Sequence, residues 1–336
     1  MKKLYVHAGM PKCGTSALQV FWAQNSDELR RNGIDYLSLG DLSAATAGEI
    51  TSGNAGPLAR SMYPTEHSAK KGSKKSHIDE LIKSILNSPC EQLLISSELF
   101  MMVPIPELKK FKSELDTAGI PVIYTYYVRR QDQSILSTYM QRVKRHGHSA
   151  YPEEHVRKVY KKAEPLRYHT AAKKFEGVFG SGNVIPLCYE DCKNHPKGII
   201  GHFFSRIFSV VPDWITTPEV VNVSPTPLEL KFQLMANVYS PKSKFSDLLV
   251  RNSAIAGRGG VHKKHSLIPA DLVQEVMDFF SDENRKMKKD FGISFPEIEV
   301  DEYVDIRNME VNVDDLMSVF IGLLVALDKK IPAKKI

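Results

Sequence analysis

Ten residues near the start of the chain constrain its architecture most: His7-Ala8-Gly9-Met10-Pro11-Lys12-Cys13-Gly14-Thr15-Ser16. They follow a short apolar run, Leu4-Tyr5-Val6-His7. They precede a segment, Ser16 to Arg31, in which Leu18, Phe21, Trp22 and Leu29 recur near helical spacing until Gly33 stops it. A glycine-bearing turn between a strand and a helix is the setting of a phosphate loop. Successive backbone amides in such a loop form a concave nest. The helix dipole adds positive potential, so an anion is held there without side-chain help. Gly9 and Gly14 permit the tight backbone, and Thr15 and Ser16 offer hydroxyls.

The Gly-x4-Gly spacing imitates a nucleoside triphosphate loop, with one displaced residue. That loop carries its lysine directly after the second glycine, where this chain has Thr15; the lysine here is Lys12. The next buried strand, Gln92 to Ser96, runs into Ser97-Glu98 and brings no aspartate to hold magnesium. The expectation is a phosphate anion bound without a metal. Four cysteines, Cys13, Cys90, Cys188 and Cys192, make neither a disulfide framework nor a zinc site.

Strands and helices alternate beyond the loop. The pattern predicts helices over 76–87, 106–118, 133–145 and 198–208, and strands over 92–96, 122–128 and 183–189. This predicts an α/β, P-loop-like three-layer fold: a central, mainly parallel sheet flanked by helices, with a helical C-terminal part over 226–237, 269–291 and 313–327. Residues 40–76, rich in Gly, Ser, Thr and Lys, read as a mobile insertion in a domain of residues 1–300; residues 301–336 read as a C-terminal helical extension. The last helix is apolar nearly all round, which predicts burial in this subunit or against a second copy in a homodimer.

Hydrophobic residues at 42% and charged residues at 25% exclude a disordered or fibrous chain. A net charge of +6 suits a protein that handles anions. The most apolar stretch, Leu316 to Leu327, is too short to span a bilayer, and no secretory signal opens the chain. The expected setting is cytoplasmic, with a peripheral membrane contact as the alternative. The basic residues are dispersed, so no nucleic-acid partner is expected.

Just after the strand 122–128 stands Arg129, and Ser137 follows eight residues later. An arginine past the C-terminal edge of such a strand faces the ligand crevice of an open α/β sheet. A serine two turns into the next helix can address the same phosphate, and guanidinium matches phosphate geometry, but taken alone the pair reads as a solvated helix start.

Pro11-Lys12-Cys13-Gly14-Thr15-Ser16 resembles the 5'-phosphosulfate loop of the sulfotransferase superfamily, Pro-Lys-[Ser/Thr]-Gly-Thr-[Ser/Thr], and Arg129 with Ser137 resembles its 3'-phosphate motif. Ile95 to Glu98, Tyr139-x-Gln141-x-x-Lys144, Leu187 to Glu190 and the helix with Asn284 resemble segments of bacterial members. The resemblance covers about residues 3 to 292, is weak between 40 and 80, and is absent beyond about 300. Cys13 departs from the usual hydroxyl residue. The resemblance implies a transferase that moves a sulfuryl group from 3'-phosphoadenosine-5'-phosphosulfate to a hydroxyl or amine, with a carbohydrate as the expected acceptor. It implies nucleotide binding by Lys12, Cys13, Gly14, Thr15, Ser16, Arg129 and Ser137. It extends to Arg258 in Gly257-Arg258-Gly259-Gly260, which equally fits a flexible basic surface loop.

Charge grows on the bridging oxygen as the donor breaks, and Lys12 is the cation placed to meet it. A base must take the acceptor's proton: Glu98 comes first and equally fits an ion pair, His7 comes next but reads more readily as a hydrogen-bonded structural histidine, and Asp35 is third. Arg142, Lys144, Arg145, His146 and His148 form a basic stretch that fits an anionic saccharide or a solvated helix face. The competing readings are a P-loop kinase or triphosphatase and a non-catalytic binder of nucleotides or sulfated glycans.

Overall fold

The computed structural model describes residues 1–10, 12–63, 74–215, 225–241, 265–297 and 302–328. The chain divides into two compact units, Met1–Arg129 with Pro165–Glu219 and Asp282–Phe295, and Arg130–Glu164 with Val220–Ser281 and Pro296–Ile336.

Elements are numbered along the chain. The first unit holds β1 (Lys3–His7), α1 (Thr15–Gln24), α2 (Ser26–Arg31), β2 (Ile34–Tyr36), α3 (Ser43–Thr46), α4 (Gly56–Ser61), α5 (Lys74–Asn87), β3 (Gln92–Ser96), α6 (Ile105–Thr117) and β4 (Val122–Val128). The second holds α7 (Gln131–His146), α8 (Pro152–Val159), α11 (Pro227–Tyr239), β6 (His265–Ser266), α12 (Ala270–Phe279), β7 (Glu302–Tyr303) and α14 (Val313–Asp328). The first unit also contains α9 (Tyr168–Phe179), β5 (Val184–Cys188), α10 (Gly198–Ile207) and nearly all of α13 (Ser281–Phe291).

The sheet of the first unit runs β2-β3-β1-β4-β5, and every neighbouring pair is parallel. The predicted three-layer architecture is therefore present. Parallel strands buried on both faces require near-continuous apolar runs, and Val122 to Val128 supplies one. Alternate side chains reach opposite faces. Tyr124 stacks on Phe179 at 4.6 Å and Tyr126 meets Phe175 edge-on, both on α9. On the other face Tyr5 meets Phe208, while the Tyr127 hydroxyl and His202 Nδ1 of α10 share a hydrogen bond of 2.9 Å.

Residues 40–63, read as part of a mobile insertion, carry α3 and α4 and pack into the unit. Ala55, Leu58, Ala59 and Met62 recur at helical spacing and are buried. Asn54 ties the segment to the sheet: its Nδ2 donates to the Leu37 and Leu94 carbonyls, and its Oδ1 accepts from Ser96 N at 2.7 Å. The predicted helix over 16–31 breaks at Asn25, and the predicted helix over 269–291 breaks at Phe280.

In the second unit Tyr139 and Val143 of α7, Leu230 and Leu234 of α11, and Ile306 form the core. Gly147 takes φ 63° to end α7, and Asn237 Nδ2 donates to the Val143 and His148 carbonyls on either side of it. The expected burial of the last helix does not hold within the single chain. Val313, Leu316, Met317, Phe320, Ile321 and Leu324 are 46–71% exposed. No helix among the described residues is long and apolar enough to cross a membrane.

Candidate active site

Because all five strands are parallel, their C-terminal ends share one edge, where open α/β sheets bind ligands. The central strand, β1, delivers the glycine loop there. Ala8 N donates to Thr125 O and Gly9 N to Ser97 O, pinning the loop's start to both neighbouring strands. A Cβ on Gly9 would fall 2.2 Å from Thr15 Cγ2, so a side chain there would have to displace that of Thr15. Gly14 takes φ 76° to enter α1. Behind it the amides of Thr15 and Ser16 occupy the helix N-terminus, where donors lack intrahelical partners. Thr15 is buried and its hydroxyl donates to the Met10 carbonyl, which leaves Ser16 as the half-buried hydroxyl of the pair.

Lys12 also lies at positive φ, 67°, and is not a glycine. The left-handed region costs an ordinary residue about 1–2 kcal/mol. Such strain persists only where the surroundings fix it. Here Arg129 helps, because its Nη1 donates to the Lys12 carbonyl at 3.3 Å. Arg129 is held in turn by the Tyr189 ring, 5.2 Å from its guanidinium, and its own carbonyl accepts from the Tyr168 hydroxyl at 2.7 Å. Arg129 and the loop are thus brought together. Ser137 lies on α7, half-buried, in the second unit. Arg258 lies outside the described residues.

Glu98 follows β3 and opens a one-turn 3-10 helix, Glu98–Met102, whose first amides are capped by the Ser97 hydroxyl at 3.2 Å from Leu99 N. The residue is open to solvent, yet enough protein surrounds its carboxyl to lift it above the usual carboxylate range. The Lys12 ammonium is close enough to pull the other way. Tyr63, whose hydroxyl donates to the Leu99 carbonyl, feels both Glu98 and Arg60. Arg60, Tyr63 and Tyr189 are neighbours that sequence reasoning missed. The helical spacing of Ala55, Leu58, Ala59 and Met62 was the available signal for the first two.

His7 and Asp35, the second and third candidates for the base, are both buried, and His7 is hydrogen-bonded as its structural reading expects. His7 is wholly buried between Trp22 and Phe203, at ring distances of 5.2 and 5.6 Å. Its Nδ1 shares a 2.9 Å hydrogen bond with Ser96 Oγ, and Nε2 has no hydrogen-bond partner among the described residues. Burial pushes its pKa from 6.5 down to about 3, so the ring stays neutral. A depressed histidine binds its proton more readily when unfolded. His7 therefore contributes stability above pH 6.5 that is lost as pH falls toward about 3. Thermal melts of His7→Gln across this window are expected to show a shallower acid slope than the parent; an unchanged slope contradicts the assignment. Asp35 is buried on β2, ion-paired with Arg30 at 2.9 Å and accepting from Ser88 Oγ at 2.6 Å.

Cys13 is 1% exposed. Burial pushes its thiol up to about 12, against the pull of Arg129. The side chain faces the protein interior, so this loop position offers a ligand its backbone alone. All four cysteines are free and buried. In the basic stretch of the second unit, Arg142, Arg145 and His146 are exposed, whereas His148 Nε2 and His155 Nδ1 lie 3.0 Å apart beside the Tyr139 ring. Among the described residues no group of three or more His, Cys, Asp or Glu could hold a metal ion.

No protein-family model matches the chain, and no curated protein matches it. Among solved structures, a sulfotransferase from Alicyclobacillus acidocaldarius is similar, with a TM-score of 0.48 and 13% identity over 88% of this chain and 98% of that one.

Proposed function

We propose that the chain is a sulfotransferase that moves a sulfuryl group from 3'-phosphoadenosine-5'-phosphosulfate to a hydroxyl of an acceptor, with a carbohydrate as the acceptor class. The observation that carries this reading is Lys12, held at positive φ inside the loop by Arg129 and electrostatically coupled to Glu98. A cation and a base meet there at the edge where a nucleotide would bind. The amides at the start of α1 take the donor's 5'-phosphate. Arg129 takes its 3'-phosphate.

In the transfer step the acceptor oxygen forms a bond to sulfur as the bond from sulfur to the 5'-phosphate oxygen breaks. Lys12 neutralises the charge gathering on that departing oxygen, and Glu98 receives the acceptor's proton. Adenosine 3',5'-bisphosphate leaves. The chemistry is complete without a metal, in keeping with a strand end that offers Glu98 beside a lysine. A triphosphatase would require its lysine after Gly14.

Calorimetric titration with adenosine 3',5'-bisphosphate tests the donor site. Saturable one-to-one binding without magnesium, weakened in Arg129→Ala, is the expected result. Binding of ATP that depends on magnesium, with none of the bisphosphate, would replace this reading by the triphosphatase one.

A further inference from the structure

The exposed face of α14 is independent of the proposed chemistry. Val313, Met317, Phe320 and Leu324 recur at alternating steps of four and three, and Leu316 and Ile321 flank them. At 100° per residue the six span an arc of about 140°. Val319, outside that arc, is only 7% exposed. The outward face is 46–71% exposed at every one of its six large side chains. A four-three repeat is the seam that helices use to pack on one another.

The charges around the helix choose the occupant. Glu310 and Asp314 are exposed at its start, beside Asp315 in the sequence. Lys329, Lys330, Lys334 and Lys335 follow its last residue. A parallel pair would set like charges side by side at both ends. An antiparallel pair sets the acidic end of each helix against the basic end of the other. Such a pairing is two-fold symmetric and self-complementary, as a closed dimer requires.

We propose that α14 is a homodimerisation helix that pairs antiparallel with a second copy of itself. The two-fold axis passes between Phe320 and Ile321, so Met317 faces Leu324 of the partner subunit. A uniformly anionic lipid surface fits less well, because it would repel the acidic end.

Sedimentation equilibrium of the full chain is expected to show a monomer–dimer equilibrium that weakens with added salt. Phe320→Glu places two carboxylates near the axis and should raise the dimer dissociation constant by ~10²-fold or more. Because Phe320 is exposed in the single chain, the variant keeps the parent's circular dichroism. Orientation is read by oxidative cross-linking: a mixture of Met317→Cys and Leu324→Cys chains should form the mixed disulfide, in preference to either homodimer. A wild-type monomer at all concentrations, a dimer indifferent to Phe320→Glu, cross-linking of Met317→Cys chains alone, or a monomer captured by anionic vesicles would each overturn the proposal.

Discussion

Lys12→Ala is expected to lower the single-turnover rate of sulfuryl transfer by ~10²–10³-fold, the usual loss when one donor aimed at developing charge is removed. The loss should fall on the chemical step more than on donor affinity, because the ammonium meets charge that appears as the donor breaks. The fold should survive, since the side chain is exposed. Lys12→Gly separates side chain from backbone. It relieves a left-handed residue by about 1–2 kcal/mol, while its freer unfolded chain returns about 0.4–1 kcal/mol. Its melting temperature should therefore equal or slightly exceed the parent's, with turnover as low as that of Lys12→Ala. A glycine variant that transfers normally would show that the strained backbone, and not the ammonium, matters.

The second large effect belongs to Glu98. Glu98→Gln should cut turnover by ~10²-fold or more with bisphosphate affinity near that of the parent. The pH dependence carries further information. Only the ionised carboxylate can accept a proton, so the rate falls as pH drops through the Glu98 pKa. Burial holds that pKa above the ordinary carboxylate value, and Lys12 opposes the shift. Removing the ammonium therefore moves the acid limb of the rate profile to higher pH in Lys12→Ala. In Glu98→Gln that limb disappears. An acid limb that stays in place in both variants would assign the titration to another group.

Much of this site was legible before any coordinates, and the reasons are local. The glycine loop announces itself because strand, turn and helix are contiguous over Leu4 to Trp22. The parallel sheet follows from Val122 to Val128, whose unbroken apolar run suits burial on both faces. The three-residue strand Ile34–Tyr36 was missed, because three residues carry no period. His7 and Asp35 sit at or on strands whose ends point toward the crevice, but a strand alternates its side chains. The one packs between Trp22 and Phe203, and the other is claimed by Arg30 and Ser88. Sequence position supplied the strand, whereas the face was fixed by packing against α1 and α10 and by Arg30 of α2, which no local pattern encodes.

Cys13 illustrates a finer point. At the hydroxyl position of the loop it reads as a lost hydrogen bond, yet its side chain is buried and the loop keeps its shape through Cys13 N donating to the Met10 carbonyl. The segment over 40–63 shows the reverse error. Its composition reads as mobile, but Ala55, Leu58, Ala59 and Met62 bury one face of a short helix, and Tyr63 ends beside Glu98.

The most direct test is a single-turnover assay with donor labelled in the sulfuryl group, run against a panel of saccharide acceptors without added metal. Label appearing on an acceptor hydroxyl together with one equivalent of adenosine 3',5'-bisphosphate, and lost in Lys12→Ala, is the predicted result. Label that stays on the donor with every acceptor, or passes equally well in Lys12→Ala, would contradict it.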